Sequence, residues 1–373
     1  MTDTSTRATR RDFGRLLAAM PAAAVVLSSP ALALTPIETQ PLEDLHKAAL
    51  AEGGDLLVYG GGDLPNGAAG IEQAFNKRFP GMKLRVLVDR SKYQGVRIDN
   101  QLALGKLQPD AVHILAIHAF DRWKAARHLL PYKPLGWEHV YPDFKDPDGA
   151  YTAIGIFAFA TVFNPTLISE AEAPRDAADY LDPKLKGKIV LGYPHDDDSL
   201  LYQFDRIIAD HGWGYIEALL KQDVLWMRGS GTLRVAVSKG ERAVTFAASS
   251  PLAGPANATA KFLLPRRDSF LSWPQPAAIF KTAKHPAAAK LYLSWLISTE
   301  VQGAPGRQWP IRADVPVAGG YGPIGAHNTT PGRFRDFLTD RARLEQVRDQ
   351  LEQYIGPMQG PNPTGIEGIF PKA

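Results

Sequence analysis

The spacing of apolar residues changes along the chain, and each change marks an element. Leu56-Leu57-Val58-Tyr59 is a short β-forming run that stops at Gly60-Gly61-Gly62-Asp63. Over residues 70–79, Ile71, Ala74, Phe75 and Phe79 recur at helical spacing. Residues 83–88 then alternate polar with apolar, as a half-buried strand does. Strand, loop, helix, strand is a βαβ unit, and such units build parallel sheets. The rhythm continues with a predicted helix at 96–104, a buried strand at 111–117 and a helix at 119–129. Pro131 and Pro134 close that block.

A second block opens with the apolar, β-branched stretch 151–164. It continues with a strand at 188–192, helices beginning after Asp198, at 214–222 and at 232–239, and a strand at 243–246. Residues 261–264 and 275–280 read as strands returning to the first sheet. Residues 286–296 read as a helix with Pro286 in its first turn and an apolar stripe of Ala, Leu, Tyr and Trp. The tail from Gly303 is rich in Pro and Gly, broken by a charged amphipathic helix near 333–354. The pattern predicts an α/β fold of two lobes, the second inserted into the first, with the chain crossing twice. Lobe 1 takes residues 34–150 and 256–315, lobe 2 takes 151–255, and a C-terminal extension, 316–373, packs on lobe 1. A length of 373 residues suits two domains on the usual prior.

Ahead of this lies a segment with a different pattern. Arg10-Arg11 precede Phe13 and an apolar run from Leu16 to Leu32, which ends in Ala31-Leu32-Ala33. A charged start, an apolar middle and a small-residue cut site are the parts of a secretory signal. The paired arginines indicate the twin-arginine route. Residues 1–33 are therefore expected to be removed after Ala33, leaving the protein in the periplasm. Pro21 and Pro30 interrupt the run and argue against an uncleaved membrane anchor.

Composition narrows the function classes. The net charge is +3, and the signal contributes four arginines and two aspartates, which leaves the remainder near +1. With no basic excess, nucleic acid is excluded as a partner. The chain has no cysteine, so thiolate metal sites, Cys nucleophiles and lipid attachment behind the signal are excluded, as are disulfides. A freely diffusing monomer is expected. No Gly-x-Ser-x-Gly, His-Glu-x-x-His or Gly-x-x-x-x-Gly-Lys-Ser motif occurs, so no enzyme or cofactor is indicated, while three adjacent carboxylates, Asp196 to Asp198, leave a cation open. His113 and His118, five apart, point to opposite faces of the predicted strand, a poor arrangement for one metal.

In open α/β sheets, ligands sit outside the carboxyl ends of the strands, and that rule selects four loops. In the first, Gly61, Gly62 and Asp63 either bring backbone close to a ligand or make a tight turn. The second is His118, past the predicted strand, a candidate ligand or a structural histidine; His113 reads as core. The third holds Asp196-Asp197-Asp198-Ser199, with Asp197 and Ser199 as candidates and an N-cap as the simpler role for one aspartate. In the fourth, Ser230, Gly231 and Thr232 present backbone N–H groups in an anion-holding arrangement, or cap the helix that follows. Arg234 either reinforces that site or lies solvated. Tyr93, Tyr151, Trp226 and Trp273 are candidates for the cleft wall, with a core role simpler for each.

Tyr59-Gly60-Gly61-Gly62, Asp110-Ala111-Val112, Leu130-Pro131-Tyr132, Leu185-Lys186-Gly187-Lys188-Ile189, Gly229-Ser230-Gly231-Thr232, Gly240-Glu241-Arg242-Ala243-Val244 and His285-Pro286-Ala287-Ala288-Ala289-Lys290-Leu291-Tyr292 occur in that order. Together they resemble the solute-binding proteins of ABC importers, in the branch of ferric-iron, polyamine and phosphonate binders. The resemblance covers about residues 54–315. It implies the type II periplasmic-binding-protein fold, hinge closure on a small polar solute, anionic or metal-complexed, and delivery to an ABC permease. A solute-sensing partner of a membrane receptor, or an exported enzyme, is the alternative. One departure stands out: the ferric members carry two adjacent tyrosines where the second lobe returns to the first, and here the stretch is Phe246-Ala247-Ala248-Ser249-Ser250. Ser249 suits hydrogen bonding to an oxygen-rich solute instead.

Overall fold

The computed structural model describes residues 35–371; the export signal expected over 1–33 lies outside the described residues. From the amino end, α1 (Leu42–Ala51) leads to β1 (Asp55–Gly61), α2 (Ala69–Arg78), β2 (Lys83–Asp89), α3 (Ser91–Ala103), β3 (Ala111–His113), α4 (Ile117–Ala125) and β4 (Leu129–Leu130). The long strand β5 (Thr152–Phe163) carries the chain into β6 (Val190–Gly192), α5 (Asp198–His211), α6 (Trp213–Leu220), β7 (Leu225–Met227), α7 (Ser230–Lys239), β8 (Val244–Ala248) and β9 (Lys261–Leu263). The return is β10 (Leu271–Phe280), followed by α8 (Pro286–Leu296), α9 (Thr299–Gln302), α10 (Arg333–Thr339) and α11 (Arg341–Ile355).

The main sheet runs β2-β1-β3-β10-β5-β8. Strand β1 pairs in parallel with β2 and β3, as the alternating pattern requires. Helices cover both faces. On one, Phe75 and Phe79 of α2 meet Tyr292 and Trp295 of α8, with centroids 5.3–6.3 Å apart between the helices. On the other, Phe120 and Trp123 of α4 pack on Tyr151 and Phe280.

Strands β5 and β10 belong to both lobes. Ala277 to Ile279 pair with β3, while Leu271 to Trp273 pair with Phe159 to Phe157. The far end of β5 pairs with β8 and β9. The register slips between Pro274 and Pro276, so the sheet bends where the lobes join. Gln275 is the residue left out of the register, and the prolines on either side of it sit at the irregularity, where a missing N–H donor is tolerated.

Three expectations are corrected. The apolar run 111–117 is a strand only to His113: Leu115 N–H donates to the Ser91 hydroxyl at 2.8 Å, and α4 starts at Ile117. Residues 261–263, expected on the first sheet, pair with Thr161 to Phe163 at the far end of β5, because the chain returns only with β10. The C-terminal extension, expected on lobe 1, also packs on lobe 2. Phe334 and Phe337 meet Tyr202 of α5, Tyr354 stacks on Trp213 of α6, and Arg343 pairs with Asp205 at 2.6 Å. Its amphipathic stretch is two helices, broken at Asp340, whose side chain accepts from Arg343 N–H.

Asp110 illustrates how the sheet and helix layers are fixed to each other. Its buried carboxylate accepts from Leu57 N–H at 3.1 Å in β1, and from Lys284 and His285 N–H at 2.7 and 2.9 Å ahead of α8. Removing it orphans three backbone donors at once. Asp110→Ala is expected to lower unfolding free energy by about 3 kcal/mol, read by urea denaturation. A loss below about 1 kcal/mol would show that water replaces the carboxylate.

Candidate functional site

A cleft of about 540 Å³ opens beside the crossover strands. Its wall is built from the β1–α2 loop, the start of α3, β5, the loop before α5, the start of α7, Ser249 to Pro251, β10 and residues 306–309. Loops at the carboxyl ends of β1, β2, β6 and β8 all reach it, as the position of ligands in open α/β sheets requires.

The two lobes touch through charge. Helix α7 has no side chain of its own as a cap; Gly229 precedes it with φ 80°. Asp63, from the β1–α2 loop, takes that role. Its carboxylate accepts from Ser230 N–H at 2.8 Å, Ser230 Oγ at 2.8 Å and Gly231 N–H at 3.0 Å. An anion is stabilised at a helix N-terminus by the free N–H groups and the helix dipole. A Cβ on Gly229 would lie 2.7 Å from the Asp63 Cβ, so only glycine allows this approach. The anion-holding arrangement read from Ser230-Gly231-Thr232 is thus present, and the anion it holds is the protein's own Asp63.

A second bridge centres on Asp196, fully buried ahead of α5. Arg90, at the end of β2, forms an ion pair with it; Lys92 Nζ lies at 3.8 Å, and Arg228 donates from Nε at 3.0 Å and Nη2 at 3.2 Å. Burial alone would raise the Asp196 carboxyl, but Arg228, Arg90 and Lys92 together hold it below the usual carboxylate range. The pair Arg90–Asp196 is almost wholly out of water, so removing either partner would strand a buried charge. Arg90 Nε and Nη2 have no hydrogen-bond partner, and the guanidinium lies 4.4 Å from the Tyr93 ring centroid.

The neighbouring Asp197 behaves oppositely. It caps α5, accepting from Ser199 N–H at 2.8 Å and from the Ser199 hydroxyl. Burial, then the charge of nearby Asp63, push its carboxyl up to about 6. Asp198 pairs with Arg348 of α11 at 3.1 Å. His113 bonds Tyr292 Oη through Nε2 at 3.2 Å, and burial pushes it down to about 4, so it is neutral at neutral pH.

Two guanidinium groups in the wall differ from all of these. Arg307 is half-buried, and burial lowers its pKa. It donates from Nη2 to the Ile154 carbonyl at 2.9 Å. Arg234 of α7 lines the cleft, and among the described residues neither it nor Arg307 has a carboxylate partner.

Of the residues selected from sequence, Gly61, Gly62, Asp63, Asp197, Ser199, Ser230, Gly231 and Ser249 line the cleft. His118 and Thr232 do not. His118 is one residue inside α4, facing Asp198, Arg341, Arg122 and Asp99, with Nδ1 buried and unpartnered. It left the cleft because β3 ends early. Thr232 turns back and donates to the carbonyls of Arg228 and Gly229 at 2.8 and 2.7 Å. Trp273 lines the cleft; Tyr151 bonds Asp121, Trp226 packs on Tyr193 and Phe204, and Tyr93 lies on Arg90. Sequence reasoning missed Arg90, Lys92 and Arg307. The first two follow β2 at its carboxyl end and were open to the same loop rule; Arg307, in a Pro/Gly-rich loop, carried no local signal.

The raised Asp197 carboxyl gives a stability prediction. An unfolded aspartate ionises near 3.9, roughly two units below the folded group. Between those values the unfolded chain binds fewer protons, so this group's contribution to stability falls as pH rises through the window. Asp197→Asn keeps an oxygen for the cap and removes the charge facing Asp63 and Asp198. Its Tm is expected above wild type at pH 7.5, with the gain vanishing toward pH 4. A lower Tm at pH 7.5 would mean the ionised carboxylate stabilises the fold.

The family model for bacterial extracellular solute-binding protein matches residues 63–303. No curated protein sequence matches the chain. Among solved structures, the ABC-transporter substrate-binding protein from Agrobacterium tumefaciens superposes with TM-score 0.66 at 16% identity, covering 81% of this chain and 94% of that one. AfuA from Actinobacillus pleuropneumoniae, with fructose-6-phosphate bound, gives 0.61 at 15%, covering 81% and 98%. Iron-bound HitA from Pseudomonas aeruginosa gives 0.58 at 19%, covering 80% and 99%. At these identities the likeness is one of fold, and these are binding proteins rather than enzymes. The chain has the type II periplasmic-binding-protein fold and belongs to the bacterial extracellular solute-binding protein family.

Proposed function

We propose that this protein is the exported receptor of an ABC importer, that its lobes close about β5 and β10 on an organic anion, and that it hands that anion to a membrane permease. It acts as a monomer and does no chemistry on the solute. The signal pattern in residues 1–33 supports twin-arginine export to the periplasm and cleavage after Ala33.

The observation that carries the anion reading is how the cleft's charges are spent. Asp63 is bonded to the start of α7, Asp196 to Arg90 and Arg228, Asp197 to Ser199, and Asp198 to Arg348. Each acidic group of the wall has its partner within the protein. Arg234 and Arg307 do not, and a half-buried cation without a counter-ion is costly until a ligand supplies one. A polyamine would meet carboxylates already bonded within the protein, Asp63 to the start of α7 and Asp197 to Ser199. Among the described residues no group of three His, Cys, Asp or Glu side chains is placed to hold a metal ion, and no tyrosine lines the cleft. A bare ferric ion is therefore disfavoured. AfuA was captured with a sugar phosphate, which is consistent with an anion in this fold.

Fructose-6-phosphate, benzoate, methylphosphonate, ferric citrate and spermidine, each at millimolar concentration, test this by thermal shift and calorimetry. An anion is expected to raise Tm, since binding only the folded state stabilises it. Arg307→Gln and Arg234→Gln should each weaken that anion about 10–100-fold. Stabilisation by spermidine alone, or an unchanged affinity in both variants, would overturn the anion reading.

A further inference from the structure

Resting on that reading, the geometry points to a narrower class of solute: an organic acid with a planar, apolar body. The anionic head pairs with Arg307, and the body lies over Phe157 and Trp273. Within β5 only Phe157 is not buried, and it lines the cleft. Its ring stacks on Trp273 with centroids 5.7 Å apart and planes 23° from parallel, and Phe159 closes the platform edge-on to Trp273 at 5.1 Å. Arg307 adjoins this platform. A Cβ placed on Gly155 would be 3.4 Å from Arg307 Nη2 and 3.7 Å from Phe157 Cε2, so the guanidinium and the ring flank one glycine.

The rest of the wall fits the same solute. Leu64, Ile71, Leu115 and Ile156 add apolar surface. Trp273 Nε1 donates to Gln275 Oε1 at 3.1 Å, which orients the Gln275 amide and leaves its own N–H groups for a ligand. About 540 Å³ holds far more than an inorganic anion, given ~30 Å³ for a water. Apolar walls with a few placed polar groups are what an organic ligand's site needs. A guanidinium beside an aromatic face matches a ring that carries a carboxylate, because the ring stacks offset on the aromatic pair while the carboxylate takes a bidentate fork.

Calorimetry on the mature chain separates the outcomes, with benzoate, phenylacetate and indole-3-acetate set against acetate, inorganic phosphate, fructose-6-phosphate and ferric citrate. At least one aromatic carboxylate is expected to bind about tenfold or more tighter than acetate. Phe157→Leu should erase that preference, Arg307→Gln should weaken every carboxylate, and Trp273→Phe should remove a ligand-induced change in tryptophan emission. Gly155→Val, which presses on Arg307, should abolish binding while a cooperative melt shows the fold intact. If fructose-6-phosphate, phosphate or ferric citrate binds and the aromatic acids do not, the planar-acid proposal fails and the receptor reading stands. If none binds, both fail.

A second inference stands on separate contacts: we infer that residues 356–371 are a strap that limits how far the lobes part. Helix α11 is seated on lobe 2. Beyond it, Arg228 of lobe 2 donates from Nη1 to the Gly360 carbonyl at 3.1 Å. The chain then reaches lobe 1. The buried Thr364 hydroxyl donates to Asp89 Oδ1 at 2.7 Å, and the carbonyls of Gly368 and Ile369 accept from Arg97 and Gln101 at 3.0 and 2.6 Å. Asp89 closes β2 beside Arg90, so the strap crosses near the Arg90–Asp196 bridge. It is a further covalent route between lobes already joined by β5, β10 and the chain from α9 to α11, and opening must stretch or release it.

Truncation after Gln359 and the milder Thr364→Val test this by small-angle scattering without solute and by stopped-flow association with whichever anion binds. The truncated chain should have a larger radius of gyration and faster association, with Thr364→Val intermediate. Scattering and association indistinguishable from the full chain in both variants would overturn the strap.

Discussion

Pairing between β5 and β10 is the constraint on which the rest depends. One strand leaves the first lobe and the other returns to it; β10 pairs with β3, β5 pairs with β8, and the two pair with each other between. Part of the cleft wall lies on this pair or against it. Phe157 and Gly155 lie on β5, Trp273 and Gln275 on β10, and Trp309 bridges to Ile156. A ladder of backbone bonds resists shear but bends at a bulge, and the bulge here falls at Pro274–Pro276, beside the cleft. Rotation about that point changes the distance between the loops while leaving each lobe's core intact.

Charge then decides what the lobes do when they meet. Asp63 of one lobe caps a helix of the other, and Asp196 gathers Arg90 and Lys92 from one side and Arg228 from the other. Each of these contacts joins groups from both lobes. They also consume the carboxylates of the wall. On the proposed function, selection for an anion follows from the same bonds that join the lobes. Asp197, squeezed between Asp63 and Asp198 without a cation of its own, carries the cost of that arrangement.

The sequence made most of this fold legible where periodicity is strong. The βαβ unit over residues 54–88 and the helix opening at Pro286 stand as the pattern predicts, because their apolar runs are the residues the core buries. The pattern misled at 114–117, where apolar residues pack under a turn rather than in a ladder, and with that turn His118 moved out of the cleft. The rule that ligands gather at strand ends found the glycine, aspartate and serine loops, since it needs only the position of strands. It did not reveal that Asp63 and Ser230, separated by well over a hundred residues, hold each other. Nor did it find Arg307, whose role comes from a loop folded back on β5. Such pairings are tertiary facts with no local signature.

The most direct test of the hinge uses the absence of cysteine from the chain, which lets two labels be placed without background. Asn66→Cys in the β1–α2 loop and Glu217→Cys in α6 put spin labels on exposed positions of opposite lobes. Pulsed dipolar spectroscopy should then give a broad or two-peaked distance distribution without solute, collapsing to a single shorter distance when a binding anion is added. One narrow distance, the same with and without that anion, would contradict closure about β5 and β10.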